Sequence, residues 1–308
     1  MNTALFTHSA CLGHDTGEDH PECADRLRAV LSALEAESFH LLDRREAPRA
    51  TVDQLARIHP RAHVEAVLAG IPTAGHAAID ADTVVSPGSG EAALRAAGAV
   101  VAAVDAVMGG EVRNAFCAVR PPGHHAEPAQ AMGFCLFNNV AVGAAHARAE
   151  HGIRRVAIVD FDVHHGNGSQ TVAEHDADLF YGSTHQWPLY PGTGSTRETG
   201  DFGNVVNVPL GPRSGSPEFR HAVTTQLLPK LDAFAPELLI ISAGFDAHAR
   251  DPLSQVYLNE DDYAWVTRKL LEVADRHARG RVVSALEGGY DLQALAASAA
   301  AHVKVLMA

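Results

Sequence analysis

Short apolar runs alternate along the chain with longer stretches of helical spacing, the pattern of a mostly parallel α/β sheet covered by helices. The runs predicted as strands are 115–119, 156–161, 179–183, 205–208, 238–242 and 282–286, each short and apolar. Helical spacing recurs at Leu27, Val30, Leu31 and Leu34, and Thr51-Val-Asp-Gln54 reads as a capping box opening another helix. Ser216 followed by Pro217 predicts a cap and a first-turn proline ahead of Val223, Leu227 and Leu231. Asn259 predicts a further cap, with Glu260, Asp261 and Asp262 at the positive end of the helix dipole and Arg276, Arg279 and Gly280 closing that helix. The most apolar stretch, 92–108, is Ala-rich and broken by Arg95 and Asp105, so it predicts a buried helix rather than a membrane span.

Four of the predicted strands run into polar clusters: Arg120-Pro-Pro-Gly-His-His125, Asp160-Phe-Asp-Val-His-His165, Gly244-Phe-Asp-Ala-His248 and Glu287-Gly-Gly-Tyr-Asp291. In open parallel sheets, ligands bind outside the carboxyl ends of the strands, where segments distant in sequence converge. The clusters are therefore expected to form one site. No internal repeat or linker divides the chain, so 1–308 is read as a single domain.

Composition narrows the classes of function. Apolar residues at 46% and charged residues at 20% suit a folded chain with a sizeable core. A formal charge of -13 with no run of Lys or Arg excludes a nucleic-acid partner and favours a positively charged substrate. Cys11, Cys23, Cys117 and Cys135 show no CxxC spacing, which predicts reduced thiols and no cysteine-held zinc. Residues 1–13 carry no Lys or Arg before their apolar residues and so lack a secretory n-region, and a cytoplasmic location is expected.

Asp160, Asp162 and His164 are spaced by two, so a strand persisting through them would point all three side chains to one side. A carboxylate and an imidazole from this segment, with Asp246, give three protein ligands and leave a fourth position for water, the layout of a catalytic zinc site. Two carboxylates and one imidazole make a harder set than three histidines, so iron or manganese competes with zinc on chemistry alone. Such an ion polarises an amide carbonyl and brings the acidity of water towards neutral. His124 and His125, held by the Pro121-Pro122-Gly123 turn, supply a proton shuttle and a charge facing the developing oxyanion. Tyr290, after two glycines, is either a donor to that oxyanion or a structural tyrosine bonded at a strand end. His8, His59, His151, His175 and His302 fall outside the clusters and have no ligand role in this reading.

The four clusters, the extension of the second to Gly168, Tyr190-Pro-Gly-Thr-Gly194 and His20-Pro-Glu22 together resemble the histone deacetylase superfamily in order and spacing over nearly the whole chain. The bacterial members and the class II branch are the most similar. The resemblance implies a single-domain arginase/deacetylase fold, a mostly parallel eight-stranded sheet flanked by helices, with zinc on Asp162, His164 and Asp246. It also implies His125 as general base and acid, His124 as its electrostatic partner oriented by Asp160, and Tyr290 as the donor that polarises the scissile carbonyl. Asn167 stands where some members have an aspartate behind the second histidine. A neutral amide raises imidazole basicity less, so His125 is expected to stay neutral more easily.

By the same resemblance, a potassium ion sits on Asp160, Asp162, His164, Ser183 and Thr184, partly through backbone oxygens. Gly133, Phe134 and Tyr190 match the walls of the substrate tunnel. Leu253 matches a gatekeeper position where the polyamine-selective relative carries an acidic residue. Asp19, Glu22 and Gly88-Ser89 are candidates for the rim.

The expected function is zinc-dependent deacylation of an acyl-lysine peptide or protein, or of a small acyl-amine, by a monomer or homodimer with no membrane or nucleic-acid partner. An acetylpolyamine deacetylase is the alternative. An arginase-like dinuclear manganese hydrolase needs further carboxylates where His124, His125 and Tyr290 stand. A catalytically inactive acyl-ligand binding module would be favoured by loss of Tyr290, His125 or Asp246, and all three are present.

Overall fold

The computed structural model describes residues 2–308; Met1, part of the span read as one domain, lies outside the described residues. In chain order the strands are β1 (Thr3–Thr7), β2 (Asp43–Glu46), β3 (Ala77–Ala78), β4 (Val84–Val85), β5 (Asn114–Cys117), β6 (Val156–Asp160), β7 (Leu179–Gln186), β8 (Val205–Leu210), β9 (Leu238–Ala243) and β10 (Val282–Leu286). Eight of them form one sheet in the order β2-β1-β5-β10-β9-β6-β7-β8, while β3 and β4 pair as a separate antiparallel ribbon. Every neighbouring pair in the large sheet is parallel.

Strands buried on both faces read as continuous apolar runs. That is why β6, Val-Ala-Ile-Val-Asp, and β9, Leu-Leu-Ile-Ile-Ser-Ala, are buried throughout. The edges differ. β2 is Asp-Arg-Arg-Glu with alternate residues exposed, and β8 contains Pro209, whose missing N–H is tolerated at an edge. Neither β1 nor β2 was expected from the apolar pattern, because β2 has no apolar residue and β1 is a lone short run.

Helix contacts fall into two groups with the sheet between them. Ser89–Met108 packs on Asn139–His151, while Ala24–Ala33 and Glu260–His277 both pack on Leu292–Leu306. The Ala-rich segment 92–108 lies inside the helix Ser89–Met108, and no helix among the described residues is long and apolar enough to cross a membrane. Thr51 and Asn259 cap their helices, each with its capping box. Ser216 is not the cap expected of it: Gly215 takes that place, and the Ser216 hydroxyl donates to Asp262 Oδ2 at 2.6 Å.

The topology places the site. β5, β10, β9 and β6 are consecutive in the sheet and parallel, so the four polar clusters that follow them emerge side by side at one edge. All four cysteines are free thiols.

Close approach of elements depends on glycine at Gly98 and Gly143. A methyl group on Gly98 would overlap the Pro48 carbonyl oxygen, and one on Gly143 would press on Val100 Cγ1. Alanine normally favours a helix interior over glycine. We expect the opposite at Gly98: Gly98→Ala should destabilise the fold by about 1–3 kcal/mol through overpacking. Urea denaturation checks this, and an unchanged or higher midpoint would count against the packing described.

Candidate active site

β6 stops at Asp160, one residue short of the expected end, so strand alternation does not aim Asp162 and His164. Side-chain bonds to the backbone aim them instead. Asp160 Oδ1 accepts from the Asp162 N–H at 3.0 Å, and Asp162 Oδ1 accepts from the His164 N–H at 2.9 Å. Beyond β9, Asp246 Oδ1 accepts from the Val163 N–H at 2.8 Å, and beyond β10 the Gly288 N–H donates to Asp162 Oδ2 at 2.8 Å. His164 Nδ1 then lies 3.1 Å from Asp162 Oδ1 and 3.0 Å from Asp246 Oδ2. Methyl groups at Gly244 or Gly288 would overlap these carboxylates.

The electrostatics of this trio call for a cation. Burial raises the Asp162 pKa, but the charge of His124 and the hydrogen bond and charge of His164 outweigh it and hold the carboxyl well below its usual range. At Asp246, burial and the charge of Asp162 act together and push the carboxyl up to about 7. Burial would lower His164, yet its hydrogen bonds to Asp162 and Asp246 raise it to about 10. One donor atom from each residue lies within 4.8 Å of the others. Two carboxylates and an imidazole balance the charge of a divalent ion with oxygen and nitrogen donors, so the residues present fit zinc.

The imidazole pair is fixed from β10. Glu287 Oε2 accepts from the Gly123 N–H at 2.7 Å and the His124 N–H at 3.2 Å, and the Ser242 hydroxyl donates to Glu287 Oε1 at 3.1 Å. His124 Nδ1 is 2.9 Å from Asp160 Oδ2, and His125 Nδ1 is 2.9 Å from Asn167 Oδ1. An amide oxygen only accepts, so His125 carries its proton on Nδ1 and leaves Nε2 open. Although the ring centroids are 4.0 Å apart, the two rings differ in charge. Burial lowers His124, but Asp162 and Asp160 outweigh it and raise it well above its ordinary value. For His125, burial and the charges of His124 and His164 act together and lower it well below.

Tyr290 is anchored by its backbone and its ring face. Asp251 Oδ2 accepts from the Tyr290 N–H at 2.7 Å while Asp251 Oδ1 accepts from the Leu253 N–H at 2.9 Å. The Arg26 guanidinium lies 4.8 Å from the Tyr290 ring centroid, with its Nε donating to Gly289 O at 2.6 Å and Nη2 to Glu287 O at 2.5 Å. Burial raises the Tyr290 phenol well above its ordinary pKa, with Arg26 opposing, so the hydroxyl keeps its proton.

A cavity of about 260 Å³ joins these groups: His125, His164 and Tyr290 line it together with Gly133, Phe134, Tyr190, Leu253, Leu189 and Asp82. The Tyr190 and His125 centroids are 5.1 Å apart, nearly perpendicular, and Phe134 meets Tyr290 edge-on at 6.1 Å. Gly133, at φ 58°, backs onto the His125 ring, leaving no room for a side chain. Ser183 pairs in register with Asp160, and its hydroxyl oxygen is 2.9 Å from His185 Nδ1; Thr184 follows it on β7.

None of the rim candidates lines the cavity. Glu22 is fully buried, with Arg120 Nε 2.5 Å and Arg26 Nη1 2.9 Å from its Oε1. Ser89 is buried against His14, and Asp19 is exposed. Sequence reasoning missed Asp82 and Leu189 as lining residues, and Arg26 and Asp251 as supports for Tyr290. Asp251 had a signal, since it stands two residues before the gatekeeper candidate Leu253; Asp82 sits in a short irregular loop with no periodic cue.

The family model of the histone deacetylase domain matches residues 20–306. A histone deacetylase-like amidohydrolase of Pseudomonas aeruginosa is 39% identical over 314 residues, covering 94% of this chain and 81% of that protein. A probable deacetylase of Archaeoglobus fulgidus is 36% identical over 299 residues, covering 95% and 82%. The solved HDA15 HD domain matches with a TM-score of 0.93 at 37% identity, covering 99% of this chain and 88% of that one. Eight parallel strands, helices on both faces and this match identify the arginase/deacetylase fold, and the chain belongs to the histone deacetylase family.

Proposed function

We propose that this protein is a zinc-dependent deacylase that hydrolyses the acyl amide of acyl-lysine, in a peptide or protein, or of a related acyl-amine. The observation that carries this reading is that His125, His164 and Tyr290 open into one cavity walled by Phe134 and Tyr190. Asp162, His164 and Asp246 would hold the zinc, which when bound supplies Lewis acidity that polarises a carbonyl and lowers the pKa of water. His125, neutral and with Nε2 open, accepts a proton from the attacking water and returns it to the leaving amine. His124, kept cationic by Asp160 and Asp162, stabilises the developing negative charge. The Tyr290 hydroxyl donates to the carbonyl oxygen as it becomes an oxyanion, and the aromatic walls suit a methylene chain.

The potassium site on Asp160, Asp162, His164, Ser183 and Thr184, which the family resemblance implies, is part of the proposal; Asp160, the last residue of β6, stands in register with Ser183 inside β7. A second reading, an acetylpolyamine deacetylase, is favoured by Asp82, a carboxylate in an otherwise mostly apolar wall that would attract a second ammonium group, and opposed by Leu253.

Turnover of an acetyl-lysine peptide, a longer-chain acyl-lysine peptide and an acetylated polyamine, each with and without a hydroxamate chelator, separates these readings. Hydroxamate-sensitive cleavage of a peptide supports acyl-lysine as the substrate, cleavage of the polyamine alone supports the second reading, and cleavage of none removes both of these substrates and points to another small acyl-amine or to a binding role. Tyr290→Phe should lower kcat by about 10²–10³-fold with the fold preserved; unchanged kcat removes the phenol from the mechanism. Asp246→Asn should weaken zinc binding by more than the roughly 10–100-fold typical of an outer-shell partner, read by metal titration, and equal affinity would exclude Asp246 as a ligand.

The lowered pKa of His125 keeps it neutral as pH falls, so the acid limb of kcat/KM should lie below pH 6.5, the ordinary imidazole value. Asn167→Asp would place a carboxylate at Nδ1, raise that pKa and move the limb to higher pH. A limb that stays in place would mean that His125 is not the titrating base.

A further inference from the structure

Away from the cavity, two imidazoles and a carboxylate converge from neighbouring helices. His146 and His151 stand on the helix Asn139–His151, and Asp105 on Ser89–Met108, which packs against it. Each histidine places its Nε2 2.7 Å from the same atom, Asp105 Oδ1. One donor atom from each residue lies within 4.8 Å of the others, and none of the three lines the cavity described above. His146 is buried, whereas the Asp105 side chain is 51% exposed, so the cluster opens to solvent on one side.

We propose that Asp105, His146 and His151 form a second metal site that takes a borderline divalent transition-metal ion such as zinc, nickel or copper. Two imidazole nitrogens and one carboxylate suit these ions, whereas magnesium and calcium require oxygen ligands. The open side leaves room for water to complete the coordination. His151 is the last residue of its helix, where the unsatisfied carbonyls carry partial negative charge and favour a cation. His151, assigned no ligand role from sequence, acquires one through the arrangement of the two helices.

Arg57 sets the cost of binding. Its Nη1 lies 2.8 Å from His146 Nδ1 and can only donate, so that nitrogen presents its lone pair and the ring proton sits on Nε2, towards Asp105. An ion on Nε2 requires the other tautomer. Binding therefore transfers one proton from Nε2 to Nδ1 and releases Arg57 from the ring, leaving it with Glu150, which it already contacts. Arg57 is thus a built-in competitor, through both its charge and the tautomer it enforces.

Calorimetric titration of the intact protein with zinc ions tests this, with His151→Gln, Asp105→Asn and Arg57→Met compared with the unaltered chain and folding checked by circular dichroism. The unaltered chain should bind one equivalent more than His151→Gln, or bind it at least about tenfold more tightly, and Asp105→Asn should match His151→Gln. Arg57→Met should bind that equivalent more tightly than the unaltered chain. If Asp105→Asn does not fold, His151→Gln, altered at a partly exposed ring, carries the comparison alone. Identical stoichiometry and affinity in the unaltered chain and His151→Gln would overturn the site, and weaker binding by Arg57→Met would overturn the tautomer argument. The comparison is a difference at one residue, so it holds whether or not the cavity itself binds zinc.

Discussion

Asp162 and Asp246 are buried side by side, and a carboxylate removed from water is costly unless it gains hydrogen bonds and opposite charge. Their surroundings supply both. Three backbone N–H groups, from Val163, His164 and Gly288, point at their oxygens, and His164 bridges them. These donors come from segments that follow β6 and β10, while Asp246 follows β9, so only a sheet that sets those strands side by side can assemble them. Gly288 lets its backbone come close enough to donate, and Gly244 leaves room for the Asp162 carboxylate.

A second layer of buried charge ties the loops together. Glu22 stands between Arg26 and Arg120; burial raises its pKa, but Arg120 and His14 outweigh it and hold the carboxyl at about 2. Arg120 opens the segment that carries His124 and His125, and Arg26 grips the carbonyls of Glu287 and Gly289 beside Tyr290. The His124–His125 segment and the Tyr290 loop are thereby referenced to one ionic centre, and removing any member would leave a buried charge uncompensated. Environment also divides labour between the histidines. Burial lowers both, but the carboxylates of Asp162 and Asp160 raise His124, while the charges of His124 and His164 lower His125 further, so chemically identical side chains differ in proton affinity.

Much of this was legible in the sequence because it rests on local chemistry. The six predicted strands exist, since strands buried on both faces must be apolar, and all four tunnel residues named from sequence, Gly133, Phe134, Tyr190 and Leu253, line the cavity. β2 was illegible because its charged residues serve an edge rather than a core. Glu22 was misread as a rim residue for a related reason: a lone glutamate looks solvated until its two arginines, one of them 98 residues away, are seen around it. Asp162 and His164 reach the expected place by turn hydrogen bonds rather than strand pleating, which residue spacing alone does not distinguish. Asp251 and Arg26 act through backbone groups of other residues, and a pattern of side chains carries no trace of such contacts.

The two rims of the sheet bear on how copies of the chain meet. A parallel sheet with an open margin offers a template on which another chain can lay down a strand. Here one margin is four consecutive charged residues and the other is interrupted by a residue that cannot donate, so neither offers a continuous apolar ladder. Growth of the sheet from molecule to molecule is discouraged at both ends, by charge at one and by a missing donor at the other. Edge-to-edge strand pairing is thereby disfavoured as a way for two copies to meet.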